Sequence, residues 1–113
     1  MRNTTEYEWD IEMVDKHGDI LDHDFSDKLQ SLKIHSEYPH NWQDEKIVSR
    51  ELTLVKSVGN EYQGVVERTW AYINTDGLPS EFENGDSVPK RFAAEFARNR
   101  EWAMQFASDV TRS

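Results

Sequence analysis

The sequence predicts an α+β fold: a mostly antiparallel sheet of about four strands, with a long C-terminal helix packed on one face. Two stretches predict β-hairpins: in the first, apolar and acidic residues alternate around a turn that contains glycine, and in the second the dipeptide Gly59-Asn60 indicates a turn. A third stretch, residues 88–110, repeats its apolar residues at helical spacing. The 113 residues are too few for two domains with good cores, so residues 1–113 are expected to form a single domain.

The first hairpin is predicted over residues 7–14 and 20–25, where apolar and acidic residues alternate. A three-residue loop, Lys16-His17-Gly18, suits the turn geometry in which the glycine takes a left-handed conformation. This loop predicts a register with carboxylates opposite each other on one face: Asp10 with Asp24, and Glu12 with Asp22. The other face would then collect Trp9, Ile11, Met13, Leu21, His23 and Phe25. Like charges in direct opposition destabilise a sheet, so this face carries a cost that something must offset.

The second hairpin is predicted over residues 46–58 and 61–74, with Gly59-Asn60 as a type II′ turn. The register that pairs Glu51 with Arg68 is favoured, because opposite charges then face each other across the strands. One face would hold Val48, Leu52, Leu54, Val65, Ala71 and Ile73. The other would hold Ile47, Thr53, Val55, Val66, Trp70 and Tyr72. If the helix covers the first face, Trp70 and Tyr72 form an exposed aromatic patch, unless the middle segment covers them.

Residues 26–45 fit neither period and are left open between a short helix, capped by Ser26 or Asp27, and an irregular strand. Residues 80–87 are predicted to form a polar loop. The helix over residues 88–110 would then be capped by Ser87, with Pro89 tolerated within its first turn. Its inner stripe consists of Phe92, Phe96, Ala103, Phe106 and Val110, interrupted by Asn99. The first half of this helix is basic through Lys90, Arg91, Arg98 and Arg100. We expect these cations to pair with the acidic hairpin, with anion binding as the alternative.

The charge of this chain is distributed very unevenly. The formal net charge is -9, and residues 6–27 alone contain nine acids and a single lysine. A dense row of carboxylates attracts basic surfaces and repels acidic ones. The sequence therefore predicts a small non-catalytic interaction protein that binds a basic protein surface through residues 6–27. The expected binding residues are Asp10, Glu12, Asp22, Asp24, Trp70 and Tyr72.

Three alternatives remain open for the acidic hairpin and the core. The acids could form a solvated face that only aids solubility. Carboxylates also bind divalent metals, so a metal-dependent hydrolase or nuclease could use Asp10, Glu12, Asp22 and Asp24, although no known metal-binding spacing is present. A small ligand could occupy a pocket between helix and sheet, lined by Trp9, Trp70 and Phe96.

Several classes of function are not expected from this composition. There is no cysteine, no phosphate-binding glycine loop and no nucleophile motif, so we assign no catalytic residue and expect no cofactor. The acidic balance argues against direct binding of nucleic acid. No apolar run could span a membrane and no secretory signal is evident, so we expect a cytoplasmic protein of a type common in bacteria and their phages. The oligomeric state is left open.

Overall fold

The computed structural model describes residues 3–37, 47–73 and 78–109. Its elements follow in the order β1 (Asn3–Asp15), β2 (Ile20–Ser26), α1 (Leu29–Glu37), β3 (Ile47–Asn60), β4 (Gly64–Tyr72), α2 (Lys90–Arg98) and α3 (Arg100–Asp109). The strands form one sheet in the order β2-β1-β3-β4, and every neighbouring pair is antiparallel. The predicted α+β class and four-stranded antiparallel sheet are therefore confirmed. None of the described helices is long and apolar enough to cross a membrane.

The loop of the first hairpin is the predicted one. Gly18 has φ +84°, and its N–H donates to the Asp15 carbonyl at 3.0 Å. The Asp15 carboxylate also accepts from the backbone N–H groups of His17 at 2.8 Å and Asp19 at 2.9 Å. Burial acts to raise the pKa of Asp15, but these backbone donors outweigh it and the pKa is lowered. Asp15 therefore holds the turn as a carboxylate.

The predicted register of this hairpin is wrong beyond the turn. Val14 pairs with Ile20 as expected, but a bulge at Leu21 then shifts β2 by one residue. Glu12 consequently pairs with His23, and Asp10 pairs with Phe25. The shift removes both predicted like-charge pairs, each of which would cost a few tenths to about 1 kcal/mol. It also exchanges the two faces of β2, because strand side chains alternate with a period of two.

The second hairpin turns later than predicted, and its register is also wrong. Residues 61–63 form the turn, and Gly64 supplies the positive φ of +69°. Asn60 starts the turn, since its side-chain Oδ1 accepts from the Tyr62 N–H at 2.8 Å. Arg68 lies opposite Ser57 rather than Glu51. The position of the turn is therefore set by the Asn60 side chain and by Gly64. The Gly59-Asn60 dipeptide alone does not specify it.

The two faces predicted for β3 and β4 are nevertheless largely preserved. The core contains Leu52, Leu54 and Ala71, with Ile73 packed against it. The side chains of Ile47 and Val48 lie outside the described set. Thr53 and Val55 alternate with the core residues of β3 and lie opposite Tyr72 and Trp70. A register error of six residues, an even number, leaves residues 67–72 on their predicted faces, whereas the bulge after Val58 places Val65 opposite Gly59 and so on the face opposite to the predicted one.

The hydrophobic core lies on one side of the sheet, here called the helix face. Trp9, Ile11 and Met13 of β1 are fully buried there. Residues from all three helices join the same cluster: Leu29, Leu32, Phe92, Phe96 and Ala103. Phe82, from the segment predicted to be a polar loop, and Val88, predicted to begin the helix, also enter it. The helices thus leave the opposite sheet face outside this core.

Helix α1 settles the ambiguity of the middle segment for residues 29–37, whereas residues 38–46 lie outside the described part. Its first residue is anchored by Glu95 of α2, whose carboxylate accepts from the Leu29 backbone N–H. The same carboxylate accepts from the Trp9 indole N–H at 3.2 Å. Glu95 therefore ties β1, α1 and α2 together. The Ser26 hydroxyl meets the backbone of Lys28, just before the helix.

The long C-terminal helix is not found, because α2 and α3 are separate short helices that meet at Asn99. Asn99 has φ -110° and ψ 14°, and its side-chain amide donates to the Glu95 carbonyl at 2.9 Å. A polar residue on the inner stripe thus finds a backbone partner where the helix breaks. Pro89, with no side-chain cap, holds the N-terminal position predicted for Ser87. Val110 and the side chain of Phe106 lie outside the described set.

Candidate functional site

The sheet face opposite the helices carries acidic, aromatic and small side chains in adjacent rows. The register places Glu12 between His23 and Glu51, and Asp10 between Phe25 and Thr53. Tyr72 extends the second row, and a third row contains Glu8, Val55 and Trp70. We call this surface the acidic face and define it by Glu8, Asp10, Glu12, His23, Phe25, Glu51, Thr53, Val55, Trp70 and Tyr72.

Asp10 is the buried centre of the acidic face, with 5% of its surface exposed. Its Oδ1 lies 3.3 Å from Nδ1 of His23. Burial raises the pKa of Asp10 from its ordinary value, and the charges of Glu12 and Glu8 raise it further. The contact with His23 acts in the opposite direction and offsets only part of this effect. The free protein therefore holds a carboxylate where a negative charge is disfavoured.

Glu51 brings a further carboxylate to Asp10 and Glu12 from the neighbouring strand β3. It lies directly opposite Glu12 in the β1–β3 ladder. Burial raises the pKa of Glu51, and the charges of Glu12 and Asp10 add to the increase. Like charges in direct opposition cost a few tenths to about 1 kcal/mol. The acidic face is thus electrostatically unfavourable for the isolated protein.

Aromatic rings border these carboxylates on two sides. Phe25 is 52% exposed and stacks on the His23 ring, with the ring centroids 5.7 Å apart. Tyr72 is 50% exposed, and Trp70 is half-buried. A hydrogen bond to Glu83 is the main cause that raises the pKa of Tyr72 above its ordinary value. The face therefore combines negative charge at its centre with accessible aromatic surface at its margins.

The structure brings together four of the six predicted binding residues: Asp10, Glu12, Trp70 and Tyr72. It does not bring Asp24 to them, because the bulge places Asp24 opposite Ile11 on the helix face. There the Asp24 Oδ1 lies 2.8 Å from Nε2 of His35. Asp22 pairs with Met13 through its backbone, and its side chain is outside the described set. The predicted row of four hairpin carboxylates is therefore not formed, because Asp24 lies on the other face of the sheet.

Sequence reasoning missed Glu51 as a member of this site and placed His23 on the wrong face of the hairpin. His23 was expected on the apolar face, and the two like-charge pairs of the predicted register were the available signal against that register. Glu51 reaches Glu12 through the pairing of β1 with β3. Strand β2 and helix α1 lie between these two strands in the chain. No local pattern specifies such a long-range register, so nothing in the sequence indicated the contact.

Asp10, Glu12 and His23 could hold a metal ion. Each offers one ligand atom, and these atoms all lie within 4.8 Å of one another. Two carboxylates with one imidazole suit ions such as Mn²⁺ or Zn²⁺ better than Ca²⁺, which prefers an all-oxygen shell. The arrangement provides three protein ligands, fewer than a closed structural site requires.

The basic residues of the C-terminal region do not compensate the acidic face in the described part of the chain. Arg91 lies instead over two rings of the helix face, 5.5 Å from the centroid of Tyr7 and 4.7 Å from that of Phe92. The ion pairs found among the described residues are His23–Asp10, His35–Asp24 and Lys56–Asp86. The expected pairing of Lys90, Arg98 and Arg100 with the hairpin is not among them.

The proposed pocket between helix and sheet cannot form from its three residues. Trp9 and Phe96 are packed in the core with 0% and 1% exposure, whereas Trp70 belongs to the acidic face. A groove of about 220 Å³ does occur beyond the acidic face, where Thr4 and Glu6 lie beside Ser57 and Gly59. It is smaller than the roughly 300–1,000 Å³ typical of small-molecule sites.

No protein-family model, curated protein or solved structure matches this chain.

Proposed function

We propose that this chain is a non-catalytic interaction protein that binds a basic segment of a partner protein across the acidic face. The observation that carries the proposal is the convergence of Asp10, Glu12 and Glu51 from two strands. In the described part of the chain, the ion pair that reaches these three carboxylates is the one between His23 and Asp10. Such a cluster of weakly compensated carboxylates is suited to binding a cation from a partner.

A lysine or arginine from a partner would relieve the repulsion among these carboxylates. The raised pKa values of Asp10 and Glu51 reflect a cost that a nearby positive charge reverses. Arginine would gain further from Phe25 and Tyr72, because cations bind the faces of aromatic rings. Aromatic residues and arginine are also the side chains that dominate the energetics of protein interfaces.

The test uses a peptide of six arginines as the probe and measures its affinity by isothermal titration calorimetry at low and high salt. Glu51→Gln is expected to weaken binding by about threefold to fivefold at low salt, the loss of one partly screened charge contact. Glu101→Gln is the matched control, because it removes the same charge from the exposed start of α3. We expect it to change the affinity by less than about twofold.

Three outcomes would count against the proposal. Equal weakening by Glu51→Gln and Glu101→Gln would mean that the peptide responds only to net charge. No measurable binding at low salt would leave the acidic face as a solubilising surface. Binding that is insensitive to salt would also contradict an interaction driven by exposed charges.

A divalent-metal site is the second candidate, favoured by the clustering of Asp10, Glu12 and His23. It is tested by adding Mn²⁺ to labelled protein and following the line widths of amide signals by NMR. A site predicts saturable broadening centred on these three residues and its loss in His23→Gln. Diffuse broadening up to millimolar Mn²⁺ would exclude the site, and with it the metal-dependent hydrolase or nuclease that would require it.

A further inference from the structure

Among the strands that the structure describes, about half of β1 is paired along one edge only. Strand β3 pairs with the whole of β1, from Asn3 opposite Asn60 to Asp15 opposite Ile47. Strand β2 pairs only from Trp9 to Val14, because the chain leaves the sheet after Ser26 and enters α1. Within the described residues, no strand lies beside residues 3–8 on the β2 side. We call residues 3–8 on this side the β1 edge.

The hydrogen-bonding groups at the β1 edge can be identified from the turn. Asp15 uses both its N–H and its carbonyl toward the β2 side, in bonds with Asp19 and Gly18. Backbone groups of successive strand residues point alternately to the two sides, and both irregularities next to Asp15 are bulges of the partner strands. Thr5 and Tyr7 therefore direct their N–H and carbonyl groups to the β1 edge. Thr4 and Glu6 direct theirs to β3.

The charge at this edge selects what can pair with it. Glu6 and Glu8 alternate with Tyr7, which packs on the helix face, so their side chains belong to the same side of the sheet as Asp10 and Glu12. A strand added here would place every second side chain beside Glu6 and Glu8. Lysine or arginine at those positions forms opposite-charge cross-strand pairs, which stabilise a sheet.

We propose that the basic segment of the partner binds as an added β-strand along the β1 edge, with alternate basic side chains beside Glu6 and Glu8. This inference rests on the proposed function, and it specifies the conformation and spacing of the partner segment. Main-chain hydrogen bonds to Thr5 and Tyr7 supply affinity, and the alternating charges supply specificity. The segment would therefore carry basic residues at every second position.

A second copy of the chain is a poorer occupant of the same edge. Self-pairing would bring the two acidic hairpins together, each within a chain of net charge -9. Charged side chains on an exposed edge are a common means of preventing edge-to-edge association. Glu6 and Glu8 thus oppose self-association while they favour a basic strand.

The test measures amide hydrogen exchange of each residue by NMR, with and without a peptide of alternating threonine and arginine. Strand addition predicts that the Thr5 and Tyr7 amides exchange about tenfold more slowly when the peptide is bound. The Thr4 and Glu6 amides, already bonded to β3, should not change. The control is the same peptide with N-methyl groups on the amides that face Thr5 and Tyr7, which removes donors but keeps the charge. It should give no such protection.

The outcomes separate this inference from the proposed function. If Glu51→Gln weakens binding of the peptide while the Thr5 and Tyr7 amides stay unprotected, the acidic face binds the segment but strand addition is wrong. If these amides are protected while affinity depends on Glu6 and Glu8 but not on Glu51, the edge binds and the assignment to the cluster of Asp10, Glu12 and Glu51 fails. Protection of the same amides by raising protein concentration without peptide would identify a second copy as the occupant and overturn the basic segment.

Discussion

Replacement of Glu51 by glutamine should stabilise this protein at neutral pH. Glu51 lies directly opposite Glu12. Burial is the main cause that raises the pKa of Glu51, and the charges of Glu12 and Asp10 raise it further. Glutamine has nearly the same shape and removes the charge. The variant therefore loses the repulsion without a change in packing.

The expected gain follows from the geometry of the ladder. One like-charge pair in direct opposition costs a few tenths to about 1 kcal/mol, and Glu51 is exposed enough for solvent to keep the value within that range. We expect the free energy of unfolding to rise by about 0.5 to 1 kcal/mol, or the midpoint of thermal unfolding by about 2 to 4 °C. In 1 M salt the gain should shrink, because the screening length falls to about 3 Å.

The gain should depend on pH with a defined sign. A carboxyl group with a raised pKa holds its proton longer in the folded state than in the unfolded state. Stability therefore falls as pH rises from the ordinary value of 4.5 through the raised pKa of Glu51. Glu51→Gln removes this loss, so the two proteins should be alike near pH 4 and should diverge toward pH 7.

Thermal unfolding followed by circular dichroism from pH 4 to pH 7 provides the measurement. Glu61→Gln is the control, because it removes the same charge from the exposed turn between β3 and β4 and should change stability by less than about 0.5 kcal/mol. The reasoning is refuted if Glu51→Gln is no more stable than the parent at pH 7. A gain of constant size across this pH range would also refute it.

Two further predictions concern the fold rather than the acidic face. Glu95→Ala should lower the free energy of unfolding by about 2 to 3 kcal/mol, because the buried Trp9 indole and the Leu29 N–H lose their acceptor. Urea unfolding measures this change, and Glu95→Gln should cost less. Gly18→Ala and Gly64→Ala should each cost about 1 kcal/mol by the same measurement, since both have positive φ and open space around an added Cβ; no cost at either turn would contradict its left-handed conformation.

The sequence was sufficient for the elements whose signals are local. The alternation in β1, the loop at Gly18 and the amphipathic start of the C-terminal region are all found in the structure. The register of each hairpin was not predictable in the same way. In the second hairpin, Asn60 and Gly64 moved the turn. In the first, the bulge at Leu21 has no sequence signature as clear as the alternation that it interrupts.

The helical part was limited by contacts between distant residues. The ambiguous middle segment contains a helix whose first N–H meets Glu95, a residue 66 positions later in the chain. No pattern within residues 26–45 contains that partner. The single long helix failed at Asn99, whose polar side chain interrupted the apolar stripe and was the visible signal for a break. The local helix propensity on both sides of Asn99 favoured one continuous helix. The helix is instead interrupted at Asn99, where its side-chain amide donates to the Glu95 carbonyl.

The accuracy with which the sequence predicts the acidic face depends on whether each register error is odd or even. A shift of one residue in β2 moved His23 and Phe25 to the face of Asp10 and Glu12, and moved Asp24 to the helix face beside His35. The shift of six residues between β3 and β4 left Trp70 and Tyr72 on the face that the sequence predicted, and only the bulge after Val58 moved Val65 to the other face. The predicted row of hairpin acids was thereby replaced by a cluster drawn from β1 and β3, with a histidine at one end and aromatic rings at its margins. Because Glu12 now faces Glu51 across the β1–β3 ladder, any partner that neutralises the cluster must reach across two strands rather than along one hairpin. This geometry is why variants of Glu51, outside the acidic hairpin, provide the sharper test of binding.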